Sequence, residues 1–142
     1  MTETELKKAI LEYLEENRLM TVATSKGDTP WASTVFYAYD DKLNLYFMSD
    51  KETRKTVNIL KNPKVAVTID REQPAPGKVR GIQLEGAAQI SDDPSVFLAR
   101  HAWGQSFLPN SKIIKITPSK IIYLSDEEFG PRGHQELVLK NG

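Results

Sequence analysis

Six or seven short runs of alternating apolar residues, with only three helical stretches among them, constrain this chain more than any other feature. Leu19 to Ser25 reads as a strand and Lys26-Gly27-Asp28 as a turn. Pro30 to Tyr39 reads as a second strand, with Ser33, Val35 and Tyr37 on one side and Thr34 and Phe36 on the other. After Asp40-Asp41-Lys42, Leu43, Leu45 and Phe47 alternate with Asn44, Tyr46 and Met48 to give a third. These three are consecutive, so an antiparallel meander is expected. Val65 to Ile69 and Val79 to Ile90 follow, with Gly86 marking a bulge or bend in the second. Ile113, Ile114 and Ile116 precede Pro118, and Ile121 to Tyr123 form the last strand. The spacing does not suit repeated βαβ units. The expected fold is mainly β with flanking helices, curled into a closed or half-closed antiparallel barrel, because curling removes exposed edges.

The first helix opens on a capping box, Thr2-x-x-Glu5, and puts Leu6, Ile10, Tyr13 and Leu14 on one face. A late helix starts at Asp93-Pro94 and carries Val96, Phe97 and Arg100. Glu72 to Lys78, with two prolines and a glycine, is expected to be an exposed, mobile loop. One domain over residues 1–142 is expected from length. Nineteen basic and nineteen acidic residues cancel, so no global field draws nucleic acid or an anionic membrane. No cysteine is present, which excludes disulfides, a thiol nucleophile and Cys-type zinc sites. The acidic, amphipathic N-terminal segment is not a signal peptide, and no apolar run is long enough to span a membrane. A soluble cytoplasmic protein is expected.

The segment Tyr46 to Ile69 carries the chemistry. It reads as a strand, a loop, a helix opening through Ser49, Lys51, Thr53, Arg54 and Lys55, a stop at Asn62-Pro63, and another strand. The inward face expected for this helix is Thr53, Val57 and Leu60. A helix start offers free N–H groups and the positive end of a dipole. Three cations and two hydroxyls there suit a phosphate. Two plainer readings compete. Ser49-x-x-Glu52 is also a capping box, and Lys51, Arg54 and Lys55 could form a solvated helix face.

The order of helix, meander, then Thr53-Arg54-Lys55, Asn58-Ile59 and Asn62-Pro63 ahead of a strand resembles the pyridoxamine-phosphate-oxidase-like FMN-binding split barrels. The resemblance runs from the first helix to the last strand and implies a six- to seven-stranded antiparallel split β-barrel. It implies FMN as cofactor, its phosphate held by Arg54, Lys55 and Thr53, with Lys51 beside them. Phe47, Met48 and Ser49, ending the preceding strand, would line the ribityl chain and phosphate. Ser33, Thr34, Val35 and Phe36 would run along the flavin ring, partly through backbone. Such proteins are generally homodimers with flavin at the subunit interface. Trp103 and Phe107 would then either pack locally or cover the flavin from the partner subunit. Gln83 would bind a flavin edge or point outward from its strand.

The chain departs from the true oxidases where it matters for substrate. Ala32 stands at a flavin-binding arginine, and Tyr37 at the lysine that holds substrate phosphate. A glutamine usually follows the arginine of the fifth strand; here Arg80 is followed by Gly81, with Gln83 two residues further on. Arg80-Gly81-Ile82-Gln83 and Phe129-Gly130 resemble a branch of small proteins in that superfamily. The leading expectation is an FMN-dependent oxidoreductase acting on a small molecule. Its rivals are a flavin carrier or sensor, and a deazaflavin- or haem-binding barrel. His101 and His134 are the only histidines, and their positions do not suggest a metal site.

Overall fold

The strands curl into one antiparallel sheet whose two ends are joined through a single residue. The computed structural model describes residues 1–72 and 75–140. In chain order the elements are α1 (Glu3–Glu16), β1 (Leu19–Lys26), β2 (Thr29–Phe36), β3 (Ala38–Tyr39), β4 (Leu45–Asp50), α2 (Arg54–Lys61), β5 (Lys64–Asp70), β6 (Arg80–Ser91), α3 (Ser95–Arg100), a 3₁₀ turn (Ala102–Phe107), β7 (Ser111–Ser125), α4 (Asp126–Phe129) and β8 (His134–Val138). The sheet order is β2-β1-β5-β6-β7-β4-β3, with β8 added on β7. The architecture is the expected half-barrel, now of eight strands: two expected runs join as β7, and the short strands β3 and β8 are additional.

The meander stops after its first hairpin. β1 and β2 pair in full register from Leu19 opposite Phe36 to Lys26 opposite Thr29. Gly27, with φ of +63°, permits the two-residue turn between them. The expected strand Pro30 to Tyr39 breaks at Tyr37. Its N–H donates to the Arg18 carbonyl at 3.0 Å, and the chain then crosses to the other end of the sheet as β3. β4 therefore pairs with β3 and β7, not with β2. That missing pairing is the split.

β7 is continuous over 15 residues, through the Pro118 expected to interrupt it. The register with β6 slips between Glu85 and Gly86, where Gly86 faces Pro118. A bulge absorbs the N–H that proline lacks. Gly86 has to be glycine there, because a Cβ would lie 2.4 Å from the Thr117 carbonyl oxygen. Of the expected loop Glu72 to Lys78, Gln73 and Pro74 lie outside the described residues.

α1 plugs one end of the barrel with Leu6, Ile10, Tyr13 and Leu14, as its spacing predicts. Its capping box forms at both ends of the reciprocal bond. No basic residue lies in its last turn, so its terminal carbonyls need outside donors. Arg100 of α3 supplies them, donating to the carbonyls of Leu14, Glu15 and Asn17 at 3.2, 3.0 and 2.5 Å. The Tyr37 hydroxyl also donates to Leu14 at 2.7 Å. A second small core of Ala38, Tyr46, Phe97 and Ile113 seats α3 on the outside of β4.

α2 differs from its expected form. It begins at Arg54, and the face it buries is Thr56, Asn58 and Ile59 rather than Thr53, Val57 and Leu60. Leu60 is 63% exposed. The inward face is polar because Asn58 donates to the Thr24 hydroxyl on β1 at 3.0 Å. Thr56 and Ile59, three residues apart, share the face turned to the sheet, so the helix docks one position out of phase with the expected Val57–Leu60 face.

Gly86→Ala should destabilise the fold by about 1–3 kcal/mol, the cost of overpacking against a backbone that has little room to retreat. Chemical denaturation of the two proteins measures it.

Candidate functional site

A cleft of about 310 Å³ opens where β2 and β4 fail to pair. One wall is the free edge of β2 at Thr34, Val35 and Phe36; the other is Met48, Ser49 and Asp50 of β4. An edge strand leaves every second residue's N–H and C=O unpaired, so β2 offers the cleft backbone donors and acceptors. β4 reaches the cleft from both faces. Leu45 and Phe47 point into the barrel core, while Tyr46 and Met48 point toward α3.

One end of the cleft is polar. Thr53 precedes α2 and Thr56 lies in its first turn; both meet Ser49 at the end of β4. The Ser49 hydroxyl lies 2.9 Å from that of Thr53 and 2.7 Å from that of Thr56, and the two threonine oxygens are 3.0 Å apart. Thr53 Oγ1 also donates to the Asp50 carbonyl at 3.0 Å. The three hydroxyls form one mutually bonded cluster, in which Ser49 and Thr53 line the cleft and Thr56 lies buried behind them. Thr53 makes no side-chain cap, so it leaves the first-turn N–H groups of α2 uncapped. Lys55 lines this end, and burial pushes its pKa below the usual lysine range, opposed by the Asp50 charge. The Asp50 carboxylate accepts from the Ser111 hydroxyl at 2.5 Å.

The other end is aromatic. Phe36, Phe97, Trp103 and Phe107 line it with Met48. Trp103 packs edge-to-face on Phe36 at 5.2 Å, Phe97 at 5.9 Å and Phe107 at 6.0 Å between ring centroids. Phe36, Trp103 and Phe107 remain 42%, 48% and 52% exposed, an open apolar rim. Gly104 lets the 3₁₀ turn approach: a Cβ there would come 3.0 Å from Phe97 and 3.1 Å from Met48.

The structure therefore brings Thr34, Val35, Phe36, Met48, Ser49, Thr53, Lys55 and Trp103 to one cleft. Five other residues expected at the site do not line it. Phe47 is fully buried in the barrel core, because strand alternation turns it inward. Ser33 lies further back along β2, opposite Val22. Lys51 sits before the helix, in a separate surface recess with Asp50, Glu52 and Asn110. Gln83 is on the outer face of β6, between Thr68 and Ile122 across the strands, and does not reach the cleft of its own chain. Arg54 stacks over Trp31 with Cζ 4.1 Å from the ring centroid. Ser49 is not a helix cap: it belongs to β4, and the helix starts five residues later. Thr56, Phe97, Asp50 and Ser111 were not expected. Thr56 carries a local signal, a second hydroxyl one turn after Thr53. Ser111 carries none, since only β4–β7 pairing sets it opposite Asp50.

Neither histidine lines the cleft. His101 is buried behind Phe36, with Nε2 2.7 Å from the Tyr37 carbonyl. Among the described residues, no cluster of histidines and carboxylates could hold a metal ion, and no helix is long and apolar enough to cross a membrane.

The family profile for pyridoxamine 5'-phosphate oxidase matches residues 6–125. The chain belongs to that family. UPF0306 protein YE0465 of Yersinia enterocolitica is 28% identical over 106 residues, covering 74% of this chain and 71% of that protein. The crystal structure of General Stress Protein 26 from Bacillus anthracis superposes with a TM-score of 0.74 at 28% identity, covering 94% of this chain and 98% of that one. A haem-binding protein from Mycobacterium smegmatis superposes with a TM-score of 0.73 at 15% identity, over 97% of this chain and 58% of that one. At that identity the likeness is one of fold alone. The split barrel is thus shared with proteins of low identity, and the cleft's own side chains have to decide the ligand.

Burial pushes the His101 pKa below its ordinary value, with the Arg100 and Arg18 charges adding to the effect and the Tyr37 carbonyl opposing it. The unfolded chain then binds more protons at acid pH, so stability is lost as pH falls below about 6.5. Thermal melts between about pH 7 and pH 5 should show a larger drop for the wild type than for His101→Gln, which keeps a donor for Tyr37 but cannot titrate.

Proposed function

We propose that the cleft binds FMN, and that the protein is a flavin-dependent oxidoreductase acting on a small molecule as a homodimer. The carrying observation is the cleft's two-ended chemistry. Lys55, the Ser49 and Thr53 hydroxyls and uncapped helix N–H groups lie at one end, and four aromatic rings at the other. Phosphate at the first end and a flat apolar ring at the second is the ligand this arrangement suits. The residues fit FMN group by group. Lys55, Ser49 and Thr53 would hold the phosphate, with Thr56 bonded to both hydroxyls from behind. The β2 edge at Thr34 to Phe36 would hydrogen-bond along the ring, and Trp103 and Phe107 would cover it.

Bound flavin would supply the hydride or electron transfer. The chain's own residues would orient the ring, exclude water from one face and neutralise the phosphate charge. Lys55 gains most from that charge, since an anion beside it offsets the burial that disfavours its protonated form. The open aromatic rim of Phe36, Trp103 and Phe107 is surface that a second copy would cover, completing the pocket from outside. Pyridoxamine phosphate is not proposed as substrate. Tyr37 replaces the lysine that binds its phosphate in the oxidases, and it is buried with its hydroxyl on Leu14. Haem is disfavoured, because no histidine faces the cleft to serve as axial ligand.

FMN added to the protein and passed through desalting should remain bound at one per chain, with the absorbance of oxidised flavin. A protein that retains a deazaflavin coenzyme or haem instead overturns the cofactor assignment. Light scattering should give twice the chain mass. Reduction of bound FMN by a nicotinamide donor, followed by turnover with an acceptor, separates an enzyme from a carrier.

Lys55→Ala should weaken FMN binding about tenfold or more, the loss of one charge-assisted phosphate contact. Lys7→Ala with Lys8→Ala, on α1 away from the cleft, should leave it unchanged. Equal affinities for the two variants remove Lys55 from the site.

A further inference from the structure

Arg54 adjoins Lys55 at the start of α2, yet its side chain goes elsewhere. Its guanidinium carbon lies 4.1 Å over the indole of Trp31, on β2. The pairing of strands explains the placement. Trp31 stands directly opposite Thr24, so the two side chains share a face of the β1–β2 hairpin. Thr24 accepts from Asn58. Asn58 and Arg54 are four residues apart on α2 and so lie one above the other. The helix thus meets the hairpin through Asn58 on Thr24 and Arg54 on Trp31, and its C-cap Asn62 donates to the Ser25 hydroxyl at 3.0 Å.

Docking the helix does not use up what Arg54 has to offer. Arg71, Arg80 and Arg100 are all engaged with carboxylates or carbonyls. Among the described residues, Arg54 makes neither a salt bridge nor a side-chain hydrogen bond to protein. Stacking occupies the flat face of a guanidinium and leaves its five N–H donors free around the edge. The same stacking restricts the long side chain to one region, beside the uncapped first turn and on the strand that forms the cleft's far wall. A free, oriented fork of donors at that place is suited to a second grip on an oxyanion.

We propose that Trp31 is a positioning residue for the phosphate end of the ligand: it holds Arg54 so that Arg54 and Lys55 close on the phosphate from two sides. This rests on the phosphate-binding reading above. It adds a residue that touches no ligand atom and acts only through Arg54.

The test compares FMN with riboflavin, which lacks the phosphate, in the wild type, Trp31→Leu, Trp31→Phe, Arg54→Ala and the Trp31→Leu/Arg54→Ala pair. Trp31→Leu should lose about fivefold in FMN affinity, the scale of one cation–π contact, with riboflavin unchanged. Trp31→Phe should keep most of the preference, because an aromatic face remains. In the Arg54→Ala background Trp31→Leu should add nothing. Equal losses for both flavins, or a full loss in the Arg54→Ala background, would make Trp31 a mere helix support and overturn the proposal. A wild type that binds both flavins equally overturns the phosphate reading itself. A wild type that prefers FMN, with Trp31→Leu preferring it as strongly, overturns only the role of Trp31.

A second readout stands if the leucine variant does not fold. Trp31 and Trp103 are the only tryptophans, so Trp103→Phe leaves Trp31 as sole indole fluorophore. Its emission should change on titration with inorganic phosphate, and Arg54→Ala should abolish the change. Emission that ignores phosphate at concentrations competing with FMN on the wild type would overturn the proposal.

Discussion

Tyr37 is the residue on which the split depends. It is fully buried, and it carries the chain directly from β2 at one end of the sheet to β3 at the other. Its N–H donates to Arg18, its hydroxyl to Leu14, and its carbonyl accepts from His101 at 2.7 Å and from Arg100 at 3.4 Å. Each backbone group that leaves the ladder at this point finds a partner, as a buried chain crossing requires. Because those partners come from α1, the α1–β1 link and the end of α3, one crossing ties these parts together. Burial pushes the Tyr37 hydroxyl pKa far above the usual tyrosine range, so it remains a neutral donor to Leu14.

The crossing also creates the site. A closed barrel would pair β2 with β4 and leave neither strand anything to offer a ligand. Sending the chain from β2 to the far end of the sheet leaves both edges open over a few residues. α2 and the 3₁₀ turn then flank the gap, one bringing hydroxyls and a lysine, the other aromatic rings. Unpaired strand edges are usually a liability. Here they lie in a cleft, where a ligand can use them.

The electrostatics of this cleft are local. A chain with no net charge concentrates one lysine, helix N–H groups and the Ser49 and Thr53 hydroxyls at the cleft's polar end, and keeps Asp50 there occupied by Ser111. Arg54 sits just outside, held by Trp31 rather than by a carboxylate. The cleft's charge is thus set by that short-range arrangement more than by any long-range field.

Much of this was legible in the sequence. Period-two alternation marked β2, β4 and β6, the 3.6-residue period marked the buried face of α1, and Thr2 with Glu5 marked its start. Gly86 marked the bulge, since a missing side chain in a strand signals close backbone approach. Thr53 and Lys55, from the polar end of the cleft, were visible as residue types suited to an anion at a helix start. All of these are properties of a residue and its near neighbours along the chain. The partner of β4, the face α2 buries, the separation of Arg54 from Lys55 and the pairing of Trp31 with Arg54 were settled only in three dimensions. Each depends on which strand lies beside which, and that choice turns on Tyr37 meeting groups far away in the chain, which no local pattern records.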